Sequence, residues 1–127
     1  MSHHILIVDD SILMRTALKR TIDMVGIETA SITEAGNGKE AIEALGNNPV
    51  DLILTDLNMP EMNGFELIQC LKESTEYANI PVIVITTESS DVRIENLQET
   101  GIQDYLHKPF TPEEFREIIT RSLGICT

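Results

Sequence analysis

The stretch LILTDLNMPEMNG, residues 52–64, is an aliphatic run that breaks at Asp56 and continues through the turn residues Asn58 and Pro60. A short apolar run without a polar face is typical of a strand that is buried on both sides of a parallel sheet. Asp, Asn and Pro favour turns, so the strand should end at the carboxylate and a helix should begin near Gly64. The stretch therefore predicts a strand, a turn and a helix, with an acidic side chain at the carboxyl end of the strand.

The same alternation of apolar runs and amphipathic segments occurs five times along the chain. Neither internal repeats nor long linkers interrupt it. This order predicts an α/β fold, a doubly wound five-stranded parallel sheet with five helices on its two faces. The predicted strands are residues 4–8, 29–33, 50–56, 80–87 and 104–108. The first predicted helix follows Ser11, the second spans 38–45 and stops at Gly46, and the third begins at about Gly64. The fourth runs through Leu97 and stops at Gly101, and the fifth follows Thr111.

Three of the predicted helices begin at residues that can cap them. Ser11 precedes the first helix, and Asn63 precedes the third with Glu66 three residues further on. Thr111 opens a capping box with Pro112 at the first helical position. Such side chains accept hydrogen bonds from backbone N–H groups that the first helical turn leaves without partners. The sequence therefore predicts where these three helices begin.

Length and composition restrict the class of protein. The chain has 127 residues, a formal net charge of −12 and two cysteines. This length fits one domain, residues 1–127, with a core that needs no crosslinks. The negative charge disfavours nucleic acid and anionic membranes as direct partners and favours cations and basic partners. Two cysteines without metal or disulfide spacing favour the cytoplasm, and no apolar run has the length that membrane insertion requires.

Reactive side chains follow the predicted strands at their carboxyl ends, where doubly wound sheets bind ligands. Asp9 and Asp10 follow the first strand, Asp56 ends the third, Thr86 lies at the end of the fourth and Lys108 at the end of the fifth. Three carboxylates that meet at one edge repel each other, so at least one pKa should rise. Mg²⁺ would relieve this repulsion, because it binds one or two carboxylates and retains several waters.

A metal site beside a lysine suits phosphoryl transfer, since that transition state spreads negative charge over the phosphoryl oxygens. Asp56 is the candidate acceptor, Lys108 would bind those oxygens, and the hydroxyl of Thr86 would donate to one of them. Each residue alone also has an ordinary structural explanation, as a turn aspartate, a strand threonine or a solvated lysine. The complete set at the strand ends of one fold favours a function.

Four segments resemble a known family. IVDDSILMR (7–15), DLILTDLNMPEMNGFEL (51–67), VIVITT (82–87) and GIQDYLHKPF (101–110) resemble the receiver domain of two-component response regulators, over essentially the whole chain. The Asp-Asp-Ser opening with Met14-Arg15, and the lack of an output domain, resemble the CheY-type single-domain regulators of chemotaxis in particular. The resemblance implies the flavodoxin-like strand order 2-1-3-4-5.

The resemblance also implies a role for each candidate residue. Asp56 would accept a phosphoryl group from a histidine kinase or a phosphotransfer protein and hold it as an acyl phosphate. The side chains of Asp9, Asp10 and Asp56 and the backbone carbonyl of Asn58 would bind Mg²⁺.

Two further residues would form the switch that the family uses. Thr86 would close on the phosphoryl group, and Tyr105 would turn inward to occupy the space that Thr86 leaves. An ordinary amphipathic ring at the edge of the strand is the alternative for Tyr105. The peptide bond before Pro109 would be cis, as in the family.

Asn58, Thr87 and Glu88 are candidates for tuning the reaction rates. Asn58 and Glu88 lie two residues beyond Asp56 and Thr86 and match the chemotaxis regulators. Thr87 departs from the family, which usually has Ala or Gly at this position. Its β-branched side chain should crowd the phosphoryl group and the incoming water, so both phosphorylation and loss of phosphate should be slower.

The output partner is predicted to bind the fourth helix, the fifth strand and the fifth helix. Phosphorylation adds charge at one edge and biases a two-state element there. The first helix is more basic and could meet an acidic kinase or phosphotransfer protein, although a solvated helix face explains the same charges. The output face carries Val92, Arg93, Glu95, Tyr105, His107 and Arg116, and the basic face carries Arg15, Lys19 and Arg20.

Two other functions stay open on the sequence. A small Mg²⁺-dependent phosphatase with an aspartate nucleophile usually has a second acid two residues further on, where this chain has Asn58. The other is a receiver domain from a longer regulator, with a DNA-binding or other output domain. The leading hypothesis is a signalling switch, which is not an enzyme beyond catalysing its own phosphorylation and dephosphorylation.

Overall fold

A computed structural model describes residues 3–87 and 90–124, in which five strands alternate with five helices. The elements are β1 His3–Val8, α1 Ile12–Met24, β2 Thr29–Ala35, α2 Gly38–Asn47, β3 Leu52–Thr55, α3 Gly64–Glu73, β4 Val82–Thr86, α4 Asp91–Glu99, β5 Asp104–His107 and α5 Pro112–Leu123. The strands are parallel and pair in the order β2-β1-β3-β4-β5. Both the predicted fold class and the predicted strand order are confirmed.

Two hydrophobic clusters cover the two faces of the sheet. Leu6 and Val8 of β1 belong to the cluster that α2, α3 and α4 bury, whereas Ile5 and Ile7 belong to the cluster of α1 and α5. Alternate residues of a strand point to opposite faces, so β1 contributes to both clusters. Helices therefore lie on both faces, as a doubly wound sheet requires.

The strand register brings the ends of β1, β3 and β5 to one edge. Val8 pairs with Thr55, and Thr86 pairs with His107. The next residue along each of these three strands carries a candidate side chain, namely Asp9, Asp56 and Lys108. The backbone continues the pairing, since the amide of Asp56 donates to the Val8 carbonyl at 3.0 Å and that of Lys108 to the Thr86 carbonyl at 2.7 Å.

The predicted helix starts are confirmed. The Ser11 side chain accepts from the amide of Met14, and Asn63 and Thr111 form complete capping boxes with Glu66 and Glu114. Of the helices in residues 3–87 and 90–124, α1 is the longest, with 13 residues. Throughout the described part of the chain, no helix has the length and apolar character needed to cross a membrane.

The predicted end of α2 at Gly46 is wrong, because the helix continues through Gly46 to Asn47. The backbone becomes extended at Asn48, with φ −140° and ψ 144°. Asn48 precedes Pro49, whose ring disfavours the helical conformation in the residue before it. The side chains of Asn47 and Asn48 donate to the carbonyls of Glu43 and Ala44, which lie in the last turn. Proline, rather than glycine, therefore ends this helix.

Several predicted strands were too long at their ends. Asp56, Thr87 and Lys108 lie directly after β3, β4 and β5 rather than inside them. In contrast, β2 continues two residues beyond its predicted end to Ala35, and it forms an edge of the sheet. The amides of Asp56 and Lys108 still donate to the neighbouring strands, so both residues are held at the carboxyl edge of the sheet although they lie beyond the regular strands.

Candidate functional site

Three carboxylates meet at the carboxyl edge of the sheet. Asp9, Asp10 and Asp56 each offer one oxygen, and these oxygens lie within 4.8 Å of one another. Asp9 is buried, Asp56 is half-buried and Asp10 is exposed. A single cation could contact all three side chains from the solvent side. The predicted convergence of the acidic strand ends is thus present in the structure.

Asp9 is the carboxylate that the fold places in the least favourable environment. Only 3% of its surface is exposed, and its Oδ1 accepts a hydrogen bond of 2.9 Å from the amide of Ser11. Burial is the main cause that raises the pKa of Asp9. The hydrogen bond from Ser11 opposes that rise, while the charge of Asp56 adds to it. The pKa of Asp9 is raised, as expected, but burial contributes more to the rise than the repulsion between carboxylates on which the expectation was based.

Asp56 is held by its neighbours in the loop from β3 to α3. Its Oδ1 accepts from the amide of Leu57 at 2.8 Å, and its carbonyl accepts from the hydroxyl of Thr55 at 2.9 Å. Gly64 packs against the same peptide, so a Cβ at this position would lie 2.4 Å from the Asp56 carbonyl oxygen. The first residue of α3 must therefore be glycine for the loop to keep this path.

Lys108 joins the acidic cluster from β5. Its Nζ lies 3.8 Å from Oδ2 of Asp9, and 16% of its side chain is exposed. The peptide bond between Lys108 and Pro109 is cis, as predicted. An ammonium group this close to a buried carboxylate lowers the pKa of Asp9 and partly offsets the repulsion within the cluster.

The remaining predicted residues differ in their exposure. Thr86 is fully buried at the end of β4, whereas Thr87 and Asn58 are exposed. Tyr105 is half-buried and packs against the hydrophobic cluster of α2, α3 and α4. Glu88 lies outside the described residues.

Sequence reasoning missed the role of Arg15 in the fold. Its Nη1 donates to the carbonyl of Asp9, and its Nε donates to Oε1 of Glu34 at 3.0 Å. Lys19 binds the other oxygen of Glu34 at 2.9 Å. Two of the three cations of the predicted basic face are therefore paired with β2. No local pattern could reveal this, because Glu34 is 19 residues away from Arg15.

The donor set fits a divalent cation of the Mg²⁺ type. Carboxylate oxygens are hard ligands, and Mg²⁺ commonly binds one or two of them together with water. A cation would also stabilise the ionised form of Asp9, whose pKa is raised by burial. Carboxylates that could hold a cation and a lysine in one place are groups that could support phosphoryl transfer.

The family of the chain agrees with this site. Residues 5–120 match the family model of the response regulator receiver domain, so the chain belongs to that family. Receiver domains are signalling switches of two-component systems. They take phosphoryl groups from histidine kinases and act on output partners, and they are not enzymes that turn over a free substrate.

Three relatives illustrate the similarity. Chemotaxis protein CheY1 of Helicobacter pylori is 38% identical over 121 residues, which cover 94% of this chain and 96% of that protein. The crystal structure of CheY4 of Vibrio cholerae has a TM-score of 0.85 at 32% identity, covering 97% of this chain and all of that one. The third is the receiver domain of the sensor histidine kinase PA1611 of Pseudomonas aeruginosa, whose structure has a magnesium ion coordinated in the active-site cleft. Its TM-score is 0.84 at 25% identity, and the match covers 98% of this chain and 99% of that one.

Proposed function

We propose that Asp56 is the phosphoacceptor of this receiver domain and that the chain is a chemotaxis switch of the CheY type. One observation carries the assignment of the site: three carboxylates share one centre with the Nζ of Lys108, which lies 3.8 Å from Asp9. The similarity to chemotaxis proteins supports the biological role. The match of the family model to residues 5–120 supports a single receiver domain over residues 1–127.

Asp9, Asp10 and Asp56, with the backbone carbonyl of Asn58, would hold Mg²⁺. Bound there, the ion neutralises charge on the transferred group and lets two anions approach each other. The related receiver domain of PA1611 has magnesium in its cleft, which supports this choice of metal. Asn58 lies two residues after Asp56 in the loop from β3 to α3 and is exposed to solvent.

The transfer itself requires little from the protein beyond placement and charge. An oxygen of Asp56 attacks the phosphorus of a phosphohistidine, the phosphorus–nitrogen bond breaks, and its electron pair stays with the imidazole. Lys108 stabilises the charge on the phosphoryl oxygens, and the hydroxyl of Thr86 donates to one of them. Hydrolysis of the acyl phosphate returns the protein to its unphosphorylated state. Asn58, Thr87 and Glu88 tune these rates.

The switch is proposed to run from the site to the face formed by α4, β5 and α5. Thr86 ends β4 and pairs with His107, and Tyr105 lies two residues earlier on β5. A movement of Thr86 towards the phosphoryl group therefore acts on the strand that carries Tyr105. An output protein would bind this face, and the phosphodonor would be a histidine kinase or a phosphotransfer protein in the cytoplasm.

The direct test is phosphorylation by a small donor. The protein is incubated with Mg²⁺ and acetyl phosphate, and intact mass is measured for the wild type, Asp56→Asn and the control Asp23→Asn, which changes an exposed aspartate of α1. The wild type and the control should gain the mass of one phosphoryl group, and Asp56→Asn should gain none. Equal uptake by Asp56→Asn would move the acceptor to another residue. Turnover of a chromogenic phosphate ester would instead support a phosphatase.

A further inference from the structure

We propose that Arg15 is a positioning residue for the metal site. It holds the turn between β1 and α1 through the backbone carbonyl of Asp9, and Glu34 holds Arg15 in turn. The inference rests on the proposed function, because it assigns to Asp9 and Asp10 the binding of Mg²⁺.

The guanidinium of Arg15 is fixed at two points. Its Nη1 donates to the Asp9 carbonyl, and its Nε donates to Oε1 of Glu34 at 3.0 Å. Only 16% of the Arg15 side chain is exposed, and Glu34 is fixed further by Lys19 at 2.9 Å. A planar guanidinium with two bound edges has little freedom to rotate. The Asp9 carbonyl is therefore connected through Arg15 to the edge strand β2.

The bound carbonyl belongs to the peptide that joins two metal-binding residues. Because a peptide group is planar, fixing the carbonyl of Asp9 also fixes the direction in which the chain enters Asp10. The amide of Ser11 holds the Asp9 carboxylate from the other side of the turn at 2.9 Å. Together these contacts hold the turn against the repulsion of carboxylates that lie within 4.8 Å of each other.

A tether and a purely electrostatic role for Arg15 predict opposite changes in Mg²⁺ affinity when Arg15 is removed. A guanidinium beside the cluster repels a divalent cation, so its removal should tighten Mg²⁺ binding if charge alone mattered. Removal of the tether leaves the turn free to spread, which should weaken Mg²⁺ binding. The sign of the change in affinity therefore separates the two roles.

The test compares Arg15→Met, Arg15→Lys and Glu34→Gln with the wild type. Mg²⁺ affinity is measured by titration calorimetry at low and high salt, and acetyl phosphate provides the rate of phosphoryl uptake. Arg121→Met is the control for the loss of an arginine that pairs with a strand residue, since Arg121 forms a more exposed ion pair with Asp104 at 2.6 Å and Asp104 opens β5 at the other end of the sheet. Thermal unfolding in EDTA shows whether each variant folds.

Arg15→Met should bind Mg²⁺ about tenfold more weakly, the lower end of the losses that follow removal of groups that orient metal ligands. The loss should persist at high salt, and uptake should fall most at low Mg²⁺. Arg15→Lys should recover only part of the affinity because an ammonium group cannot bridge both acceptors, and Glu34→Gln should lose roughly two- to threefold. Arg121→Met should match the wild type.

Unchanged or tighter Mg²⁺ binding by Arg15→Met overturns the proposal while uptake by the wild type still supports the proposed function. If Arg15→Met does not fold, wild-type affinity in both Arg15→Lys and Glu34→Gln overturns it. A wild type that neither binds Mg²⁺ nor takes up phosphate overturns the proposed function and this inference together.

Discussion

The carboxylate of Asp9 is almost fully buried, and its charged neighbours are two further carboxylates and the ammonium group of Lys108. Its raised pKa means that the folded protein holds this charge at a cost relative to water. Apolar packing elsewhere in the domain offsets that cost. At the scale of single residues, the buried charge of Asp9 therefore lowers the free energy of unfolding relative to a neutral side chain at the same position.

Replacing Asp9 by asparagine tests this cost. Asparagine keeps an oxygen that can accept from the Ser11 amide and removes the buried charge. In EDTA the melting temperature of Asp9→Asn should rise by roughly 2–6 °C, and the stabilisation by Mg²⁺ should be lost. Asp10→Asn is the control, because this exposed residue has little desolvation to recover. A lower melting temperature for Asp9→Asn would show that the charge stabilises the fold.

Thr87 offers a kinetic prediction at the same scale. It follows the buried Thr86 at the carboxyl end of β4 and is exposed, so we expect its methyl group to stand near an incoming donor or water. We expect Thr87→Ala to gain and to lose phosphate faster than the wild type, by about threefold to tenfold if the crowding costs roughly 1 kcal/mol. Uptake from acetyl phosphate and decay after its removal are the measurements. Equal rates in the two proteins would exclude crowding by Thr87.

At the scale of elements, two ion pairs with Glu34 join α1 to β2. Arg15 and Lys19 project from α1 to the two oxygens of Glu34. The bond from Lys19 is the main cause that lowers the pKa of Glu34 below its ordinary value of 4.5. The contribution of Glu34 to stability is therefore complete above that value, and it is lost as the pH falls through the lowered pKa of the folded state.

The pH dependence of Glu34→Gln should follow this sign. Near neutral pH the variant should be less stable than the wild type by about 0.5 kcal/mol, since the pairs are partly exposed. Below pH 4.5 the difference should shrink towards zero. Urea unfolding at a series of pH values measures it, with Glu28→Gln as a control for the loss of an exposed acidic charge. A difference that grows on acidification would contradict the argument.

The close contact of α3 with the loop before it leads to another prediction. A Cβ on Gly64 would lie 2.4 Å from the Asp56 carbonyl oxygen and 2.9 Å from Cα of Leu57, so backbone atoms would have to move. Gly64→Ala should lower the free energy of unfolding by about 1–3 kcal/mol and slow phosphoryl uptake. Both effects have one cause, the displacement of the loop that carries Asp56.

Gly46 provides the matched control for Gly64. It lies inside α2, and a Cβ there would meet no atom within 4 Å. Gly46→Ala should therefore stabilise the protein by roughly 0.5–1 kcal/mol, because alanine favours a helix more than glycine does. Phosphoryl uptake should not change. Similar effects of the two substitutions on unfolding would show that the contact of Gly64 with Asp56 is unimportant.

At the scale of the whole molecule, anchoring to the core differs among the helices. Within the described residues α4 has one buried residue, Leu97, whereas α2, α3 and α5 have three or four each. The helix lies between β4, which ends at Thr86, and β5, which carries Tyr105. A weakly anchored helix that joins these two strands is suited to respond to a change at the site.

Hydrogen exchange can test this difference. Amides of α4 should exchange faster than those of α2 in the unphosphorylated protein, and phosphorylation should change exchange in α4 and β5 more than in α2. The physical reason is that opening α4 exposes little buried apolar surface. The unmodified α2 serves as the internal reference. A larger change in α2 than in α4 would place the response on the other side of the molecule.

The sequence by itself determined the alternation of elements, the capped helix starts and the reactive residues at the strand ends. These features follow from periodicity and from backbone preferences within a few residues, so a local pattern is sufficient to predict them. The sequence also predicted where the acidic side chains cluster, because the carboxyl ends of parallel strands meet at one edge of a sheet. The structure confirmed that Asp9, Asp10, Asp56 and Lys108 come together.

Only the tertiary structure decided which carboxylate is buried, how Arg15 reaches Asp9 and Glu34, and why residue 64 must be glycine. Each of these depends on atoms that approach from other elements or across a loop. The burial of Asp9 and the exposure of Asp10 could not be read from two adjacent identical residues. Their environments differ because packing of the folded chain buries one side chain and leaves the other exposed, and that arrangement exists only after the chain has folded.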